Sequence, residues 1–152
     1  MVNIKELDEI KKTIKNFFEK TTLEVEVDFS FPKDETIPVK IKTPDPKILI
    51  GHNGQTLFEI QHLLQAISKR KIPGDFHIDL DVNDYKEKKI EYLRETARSA
   101  ADEVALIKKE KMLEPMPAYE RRIIHLELSQ RKDVKTESVG EGAERKIGIY
   151  PR

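Results

Sequence analysis

Two short runs have residue types and spacings suited to holding phosphate. The first is Gly51-His52-Asn53-Gly54, in which two glycines let the backbone turn tightly and approach a ligand closely. A helical pattern begins directly after it, so free N–H groups at a helix start would face outward and attract an anion. His52 donates one hydrogen bond when neutral and adds charge when protonated. A bare GxxG is equally the signature of a helix C-cap at Gly51 and a turn at Gly54, so the framework around the loop has to decide. The second run is Tyr119-Glu120-Arg121-Arg122-Ile123-Ile124-His125. Arg121 and His125 are four apart and share one helix face, while Ile124 and Leu128 point elsewhere. A guanidinium fork beside an imidazole grips a phosphate from two sides. The plainer reading is a surface arginine next to a partly buried histidine.

Outside these runs, the chain offers no catalytic constellation and no metal site. His52, His62, His77 and His125 lack ligand spacing such as HExxH, and no GxSxG, Walker or dinucleotide glycine pattern occurs. With no cysteine, disulfides, thiolate nucleophiles and Cys-based metal sites are excluded. No cofactor is expected. The 28 basic and 28 acidic residues cancel, so distribution matters more than total. Residues 121–152 carry eight basic side chains, among them Arg121, Arg122, Arg131, Arg145 and Arg152, against five acidic ones. That small excess supports modest phosphate attraction. A hydrophobic fraction of 38% beside a charged fraction of 37% suits small modules with much solvated surface. No apolar run approaches the roughly 20 residues of a membrane span, and the first residues lack a signal-peptide core, so a cytoplasmic protein is expected.

The helices and strands that carry the two runs are legible as periodicity. Residues 3–20 place Ile4, Leu7, Ile10, Ile14, Phe17 and Phe18 at helical steps. Residues 23–29 alternate Leu23, Val25, Val27 and Phe29 with Glu24, Glu26 and Asp28, a strand with an acidic outer face. Residues 37–42 alternate likewise, and Pro38 predicts an edge position. A short turn or helix from Pro44 to Ile50 leads into the glycine loop. A helix through Leu57, Ile60, Leu64 and Ile67 follows, and Pro73-Gly74 closes it. Phe76, Ile78, Leu80 and Val82 predict another strand. Asn83 or Asp84 is expected to cap a long helix with a packed stripe of Tyr85, Leu93, Ala97, Ala100, Val104 and Ile107. Residues 112–116 read as extended, 119–130 as helical, and 134–138 and 146–150 as strands. The natural seam is Asp81 to Asp84.

A loop placed between two helices inside an alternating strand framework resembles the KH domain of the bacterial type, type II, with its extra helix and strand before the core. The resemblance implies that Gly51, His52, Asn53 and Gly54 clamp a nucleotide backbone while an apolar groove beside them holds bases. Candidates for that groove are Ile48, Ile50, Leu57 and Ile60, although core packing suits most of them as well. KH loops often carry a basic residue between the glycines, and His52-Asn53 departs from that. The run Leu113-Glu114-Pro115-Met116-Pro117-Ala118-Tyr119-Glu120-Arg121-Arg122-Ile123-Ile124-His125, followed by Thr136-Glu137-Ser138-Val139-Gly140-Glu141-Gly142, resembles the R-three-H (Arg-x-x-x-His) domain of the Jag family, also called KhpB or SpoIIIJ-associated proteins. The family's usual Asn-Pro ahead of the tyrosine is here Pro117-Ala118.

The expectation is therefore an α+β chain of two modules, a type II KH domain over 1–82 and an R-three-H domain over 83–152. Arg121, Arg122 and His125 form the second contact. The resemblance further implies a non-enzymatic bacterial RNA-binding protein linked to cell elongation, envelope growth and sometimes sporulation. Its ligand would be single-stranded RNA, with single-stranded DNA as the related chemistry, and a small single-KH protein would be its partner. No counterpart is expected here to the Jag-N domain that many members carry. The competing class is a protein-only adaptor of the elongation machinery, which the neutral charge and the acidic strand face favour.

Overall fold

Asn3 opens the first helix, α1 (Ile4–Glu19), with a capping box: its side chain accepts from the Glu6 N–H while the Glu6 carboxylate accepts from the Asn3 N–H. The apolar stripe read from the sequence then buries Ile10, Ile14 and Phe18. The computed structural model describes residues 1–152 as two units, Met1–Lys86 and Glu87–Arg152.

In the first unit, α1 is followed by β1 (Glu26–Phe29), β2 (Thr36–Lys42), α2 (Pro46–Ile50), a single 3-10 turn (His52–Gly54), α3 (Gln55–Lys71) and β3 (His77–Val82). The three strands make one sheet in the order β1-β2-β3, antiparallel between β1 and β2 and parallel between β2 and β3. Alternation places Ile37, Val39 and Ile41 of β2 and Ile78, Leu80 and Val82 of β3 on one buried face. These pack with Ile10, Ile14, Leu57 and Leu64 into the core.

Two expectations fail locally. Pro38 lies in the central strand and not at an edge. Its nitrogen faces β1 opposite Ser30, one residue past the end of β1, where Ser30 donates to the Pro38 carbonyl at 3.2 Å. The missing N–H therefore costs a single bond, to the Ser30 carbonyl, at the point where β1 ends. Neither Asn83 nor Asp84 caps the long helix α4 (Tyr85–Ile107); both take positive φ. Asp81 accepts from the Lys86 N–H at 3.2 Å instead. Asn83 bonds both backbone groups of Thr43, at 3.0 and 2.9 Å, and so ties the start of α4 to the end of β2. Tyr85 and Lys86, the first residues of α4, belong to this unit, which puts the division a few residues beyond the expected seam.

The second unit holds the rest of α4, then β4 (Lys111–Met112), α5 (Ala118–Leu128), β5 (Val134–Val139), a 3-10 turn (Gly142–Glu144) and β6 (Lys146–Pro151). Its sheet runs β4-β6-β5, all antiparallel. Leu93, Ala97, Ala100, Ala101 and Val104 of α4 pack with Ile124 and Leu128 of α5 and with Ile147 and Ile149 of β6. Ile107, expected in the stripe, is half exposed, because the helix ends there and Lys108 turns the chain with a positive φ. Ion pairs tie α4 to α5, the shortest joining Arg98 Nε to Glu127 at 2.6 Å.

Candidate nucleic-acid interface

The glycines of the 51–54 loop are required by its geometry. Gly51 stops α2 with φ +70°, and its N–H donates to the Lys47 carbonyl at 3.0 Å. A Cβ there would stand 2.1 Å from Thr56 Oγ1. Asn53 and Gly54 also take positive φ, at 52° and 78°, and Gly54 starts α3 with the Tyr85 ring against it. The turn's hydrogen bonds use the amides of Gly51, Gly54 and Gln55. Those of His52 and Asn53, both exposed, are left for a ligand at the start of a helix. The two side chains meet at 3.3 Å, Asn53 Nδ2 to His52 Nε2. Lys47, exposed and one helical turn ahead of Gly51, is a cation that the sequence reading overlooked because it lies outside the glycine pair. Replacing Gly51 by Ala should cost about 2 kcal/mol from the left-handed backbone, plus the displacement of Thr56. A chemical-denaturation midpoint unchanged from the parent would show that the loop relaxes freely.

The expected base groove divides. Leu57 is wholly buried and belongs to the core, so it is withdrawn as a groove wall. It sits on the α3 stripe that faces the sheet, and periodicity alone had left both roles open. Ile50 and Ile60 are partly buried against that core, and Ile48 is 54% exposed.

On α5 the i, i+4 spacing does bring Arg121 and His125 together, and each is anchored. Arg121 Nη1 donates to the Met116 carbonyl at 2.6 Å, which fixes the fork against the extended segment before the helix. His125 Nδ1 lies 2.6 Å from Thr136 Oγ1 on β5. Burial, and after it the nearby Arg121 guanidinium, hold the His125 imidazole below its ordinary pKa. It is therefore neutral near pH 7. In the tautomer whose Nδ1 accepts from the Thr136 hydroxyl, the ring proton sits on Nε2, where it can donate to a phosphate. Arg121, Arg122, His125, Ser129 and Ser138, with the apolar Leu126, line one surface concavity. Ser138 is held by Arg145, Nε to Oγ at 2.8 Å.

Thr136, Ser138 and Arg145 were not singled out from sequence as contacts. Their signal was the alternation of Thr136 and Ser138 along a strand, which puts both hydroxyls on one face. That face meets α5 only in the fold.

A neutral His125 has a stability consequence. Its folded pKa lies below the unfolded value near 6.5, so its contribution is complete above that pH and is lost as pH falls from there toward the folded value. The loss should be measurable by urea unfolding at pH 7.5 and pH 5.5, and His125→Gln should lessen the drop. An identical drop in both proteins would assign the titration to another group.

Residues 91–151 match the family model of the R-three-H domain. Over 118 residues the chain is 39% identical to a protein of Clostridium symbiosum named RNA-binding protein KhpB, covering 76% of this chain and 53% of that protein. The protein of the same name from Bacillus subtilis is 37% identical over 118 residues, 76% of this chain and 56% of the relative. That of Streptococcus pneumoniae is 30% identical over 114 residues, 75% and 35%. The chain thus spans about half or less of the length of these relatives. No helix is long and apolar enough to cross a membrane. The domain match and these relatives together support the Jag resemblance, and the chain carries, over residues 91–151, an R-three-H domain, a nucleic-acid-binding module.

Proposed function

We propose that this chain binds single-stranded RNA through two sites, the loop 51–54 of a type II KH module and the Arg121–His125 surface of the R-three-H domain. One observation carries the reading most: in a chain of zero net charge, the cations at α5 are not spent on carboxylates. Arg94, Arg98, Arg131, Lys111 and Lys135 all sit in ion pairs. Arg121 instead bonds a neutral carbonyl, Arg145 bonds Ser138 and the Gly140 carbonyl, and Arg122 lies at the rim of the same concavity. Uncompensated guanidinium groups beside a neutral imidazole with a free N–H suit a phosphodiester.

For the first unit, the support is the helix-strand-strand-helix-loop-helix-strand order with GHNG between α2 and α3. The backbone amides of the loop would take phosphates, with Lys47 supplying the charge that the loop lacks. Ile48 and Ile60 offer apolar surface for bases. The relatives' names agree with RNA as the ligand. A role in bacterial post-transcriptional control of cell elongation and envelope growth, with a small single-KH protein as partner, extends this reading.

The deciding experiment is a titration of labelled single-stranded RNA, single-stranded DNA and duplex RNA at several salt concentrations. Single strands should bind, duplex should bind much more weakly, and affinity should fall steeply with salt. Purified protein without 260 nm absorbance and without binding to any single strand would leave the adaptor reading in its place.

A further inference from the structure

The sheet of the first unit has two outer edges, and they are treated differently. On β3 the N–H groups that point away from β2 are those of Ile78, Leu80 and Val82, since His77 and Asn83 donate toward β2. All three are capped by side chains. Gln65 accepts from Ile78 at 2.6 Å while donating to the Phe76 carbonyl at 2.7 Å, Gln61 accepts from Leu80 at 2.9 Å, and Asp81 accepts from Val82 at 2.9 Å. The glutamines of α3 thus stand in for a further strand, and that edge is sealed.

The β1 edge carries no such seal. Ser30 donates to Pro38 across the ladder, so Glu26 and Asp28 face β2 with their backbone groups, while the N–H and C=O of Val25, Val27 and Phe29 face outward. No side chain or backbone group bonds them. Beside this edge lies a concavity lined by Phe18, Leu23, Val25 and Val27, with Lys15 and Glu24 at its rim. The strand contains neither lysine nor proline, the residues that most often guard an edge.

The charge pattern selects the occupant. Glu24, Glu26 and Asp28 are exposed on the solvent face of β1. On its inner side β1 already pairs with Val39-Lys40-Ile41-Lys42, which sets Lys40 opposite Asp28 and Lys42 opposite Glu26. A strand added on the outer side meets the same acidic row and the same partly buried valines. A second copy joined edge to edge in antiparallel register would set acid against acid, which is unfavourable. We propose that the β1 edge is a strand-addition site for an extended peptide segment in which lysine or arginine alternates with small apolar residues. Its backbone would bond Val25, Val27 and Phe29, its basic side chains would flank Glu26 and Asp28, and its apolar ones would enter the concavity.

The test uses the whole chain and two synthetic nine-residue peptides, one alternating lysine with valine and one alternating glutamate with valine, read by amide hydrogen exchange. The lysine peptide should slow exchange at Val25, Val27 and Phe29 by at least about tenfold at saturation, and the glutamate peptide should not. Val27→Pro removes an outward N–H, which an edge strand tolerates, together with part of the concavity's apolar lining, and should abolish the protection at Val25 and Phe29. The exposed pair Glu26→Gln and Asp28→Asn provides a second route that sets no like charges against Lys42 and Lys40 and should remove the lysine peptide's advantage. RNA affinity should stay unchanged in Val27→Pro, which alters no charge. Equal protection by both peptides, protection confined to other residues, or concentration-dependent protection of these three amides without any peptide, the mark of self-pairing, would each overturn the proposal.

Discussion

Arg121→Ala is expected to weaken single-stranded RNA binding by about 10- to 100-fold at low salt, the cost of a charge-assisted contact worth roughly 1.5–3 kcal/mol. It should also lower the slope of log affinity against log salt by about one, since one phosphate neutralisation disappears. The loss should be similar for unrelated sequences, because a phosphate contact positions the strand without reading it. Part of any defect could come from the fold, because Arg121 also holds the Met116 carbonyl at 2.6 Å. Arg121→Lys separates the two: it keeps the charge and loses the fork, so the slope should persist while affinity drops partway. His125→Ala makes a sharper contrast. The imidazole is held neutral by burial and by Arg121, so its loss should weaken binding by removing one donor and leave the slope nearly as it was. Filter binding or anisotropy across a salt series distinguishes these outcomes. A His125→Ala protein whose slope falls as much as that of Arg121→Ala would mean the histidine is charged in the complex, and altered sequence preference in either variant would mean a base edge is being read.

The contrast between these two residues shows where sequence reasoning reaches its limit. Periodicity located α1, β2, α3, β3 and α5 closely, because each buries one face and the burial dictates the spacing. The four-residue step from Arg121 to His125 likewise put both on one helix face. What periodicity could not supply is the partner brought from elsewhere in the chain. Thr136 reaches His125 only because β5 packs on α5, and that contact holds the ring by its Nδ1. Arg121 and Arg98 look equally available as letters. Glu127 occupies Arg98, however, while a carbonyl occupies Arg121, and so only one keeps an uncompensated charge. Pro38 misled for a related reason: a proline costs a central strand little where its missing N–H falls at the end of the neighbouring strand, and the end of β1 decides that. Gln61 and Gln65 carry no sequence signal at all for sealing the edge of β3, since their spacing is that of any solvated helix face.

A still larger change in affinity is expected from the pairing of two modest sites on one chain. The loop has no cation between its glycines, and the α5 surface offers a few guanidinium groups and a neutral imidazole, so neither should hold RNA tightly by itself. When one site has captured a strand, the other meets that strand at high local concentration, and linkage of this kind raises affinity by about 100- to 10,000-fold without any new contact. The whole chain can test this with each site disabled in turn. His52→Asp with Asn53→Asp places carboxylates where phosphate should sit, on exposed positions that tolerate the change, and Arg121→Ala disables the other site. On an RNA of about four nucleotides, the length one KH loop clamps, the parent can use only one site at a time. Each variant should then lie close to the parent, apart from the share of binding its own site contributed. On an RNA several times longer, the parent should gain the full linkage advantage and both variants should lose it, so that affinity against length rises steeply for the parent and stays shallow for each variant. A loop variant that matches the parent at every length would confine RNA binding to the R-three-H surface and leave the first unit to protein contacts. An Arg121→Ala variant that does so would confine it to the loop.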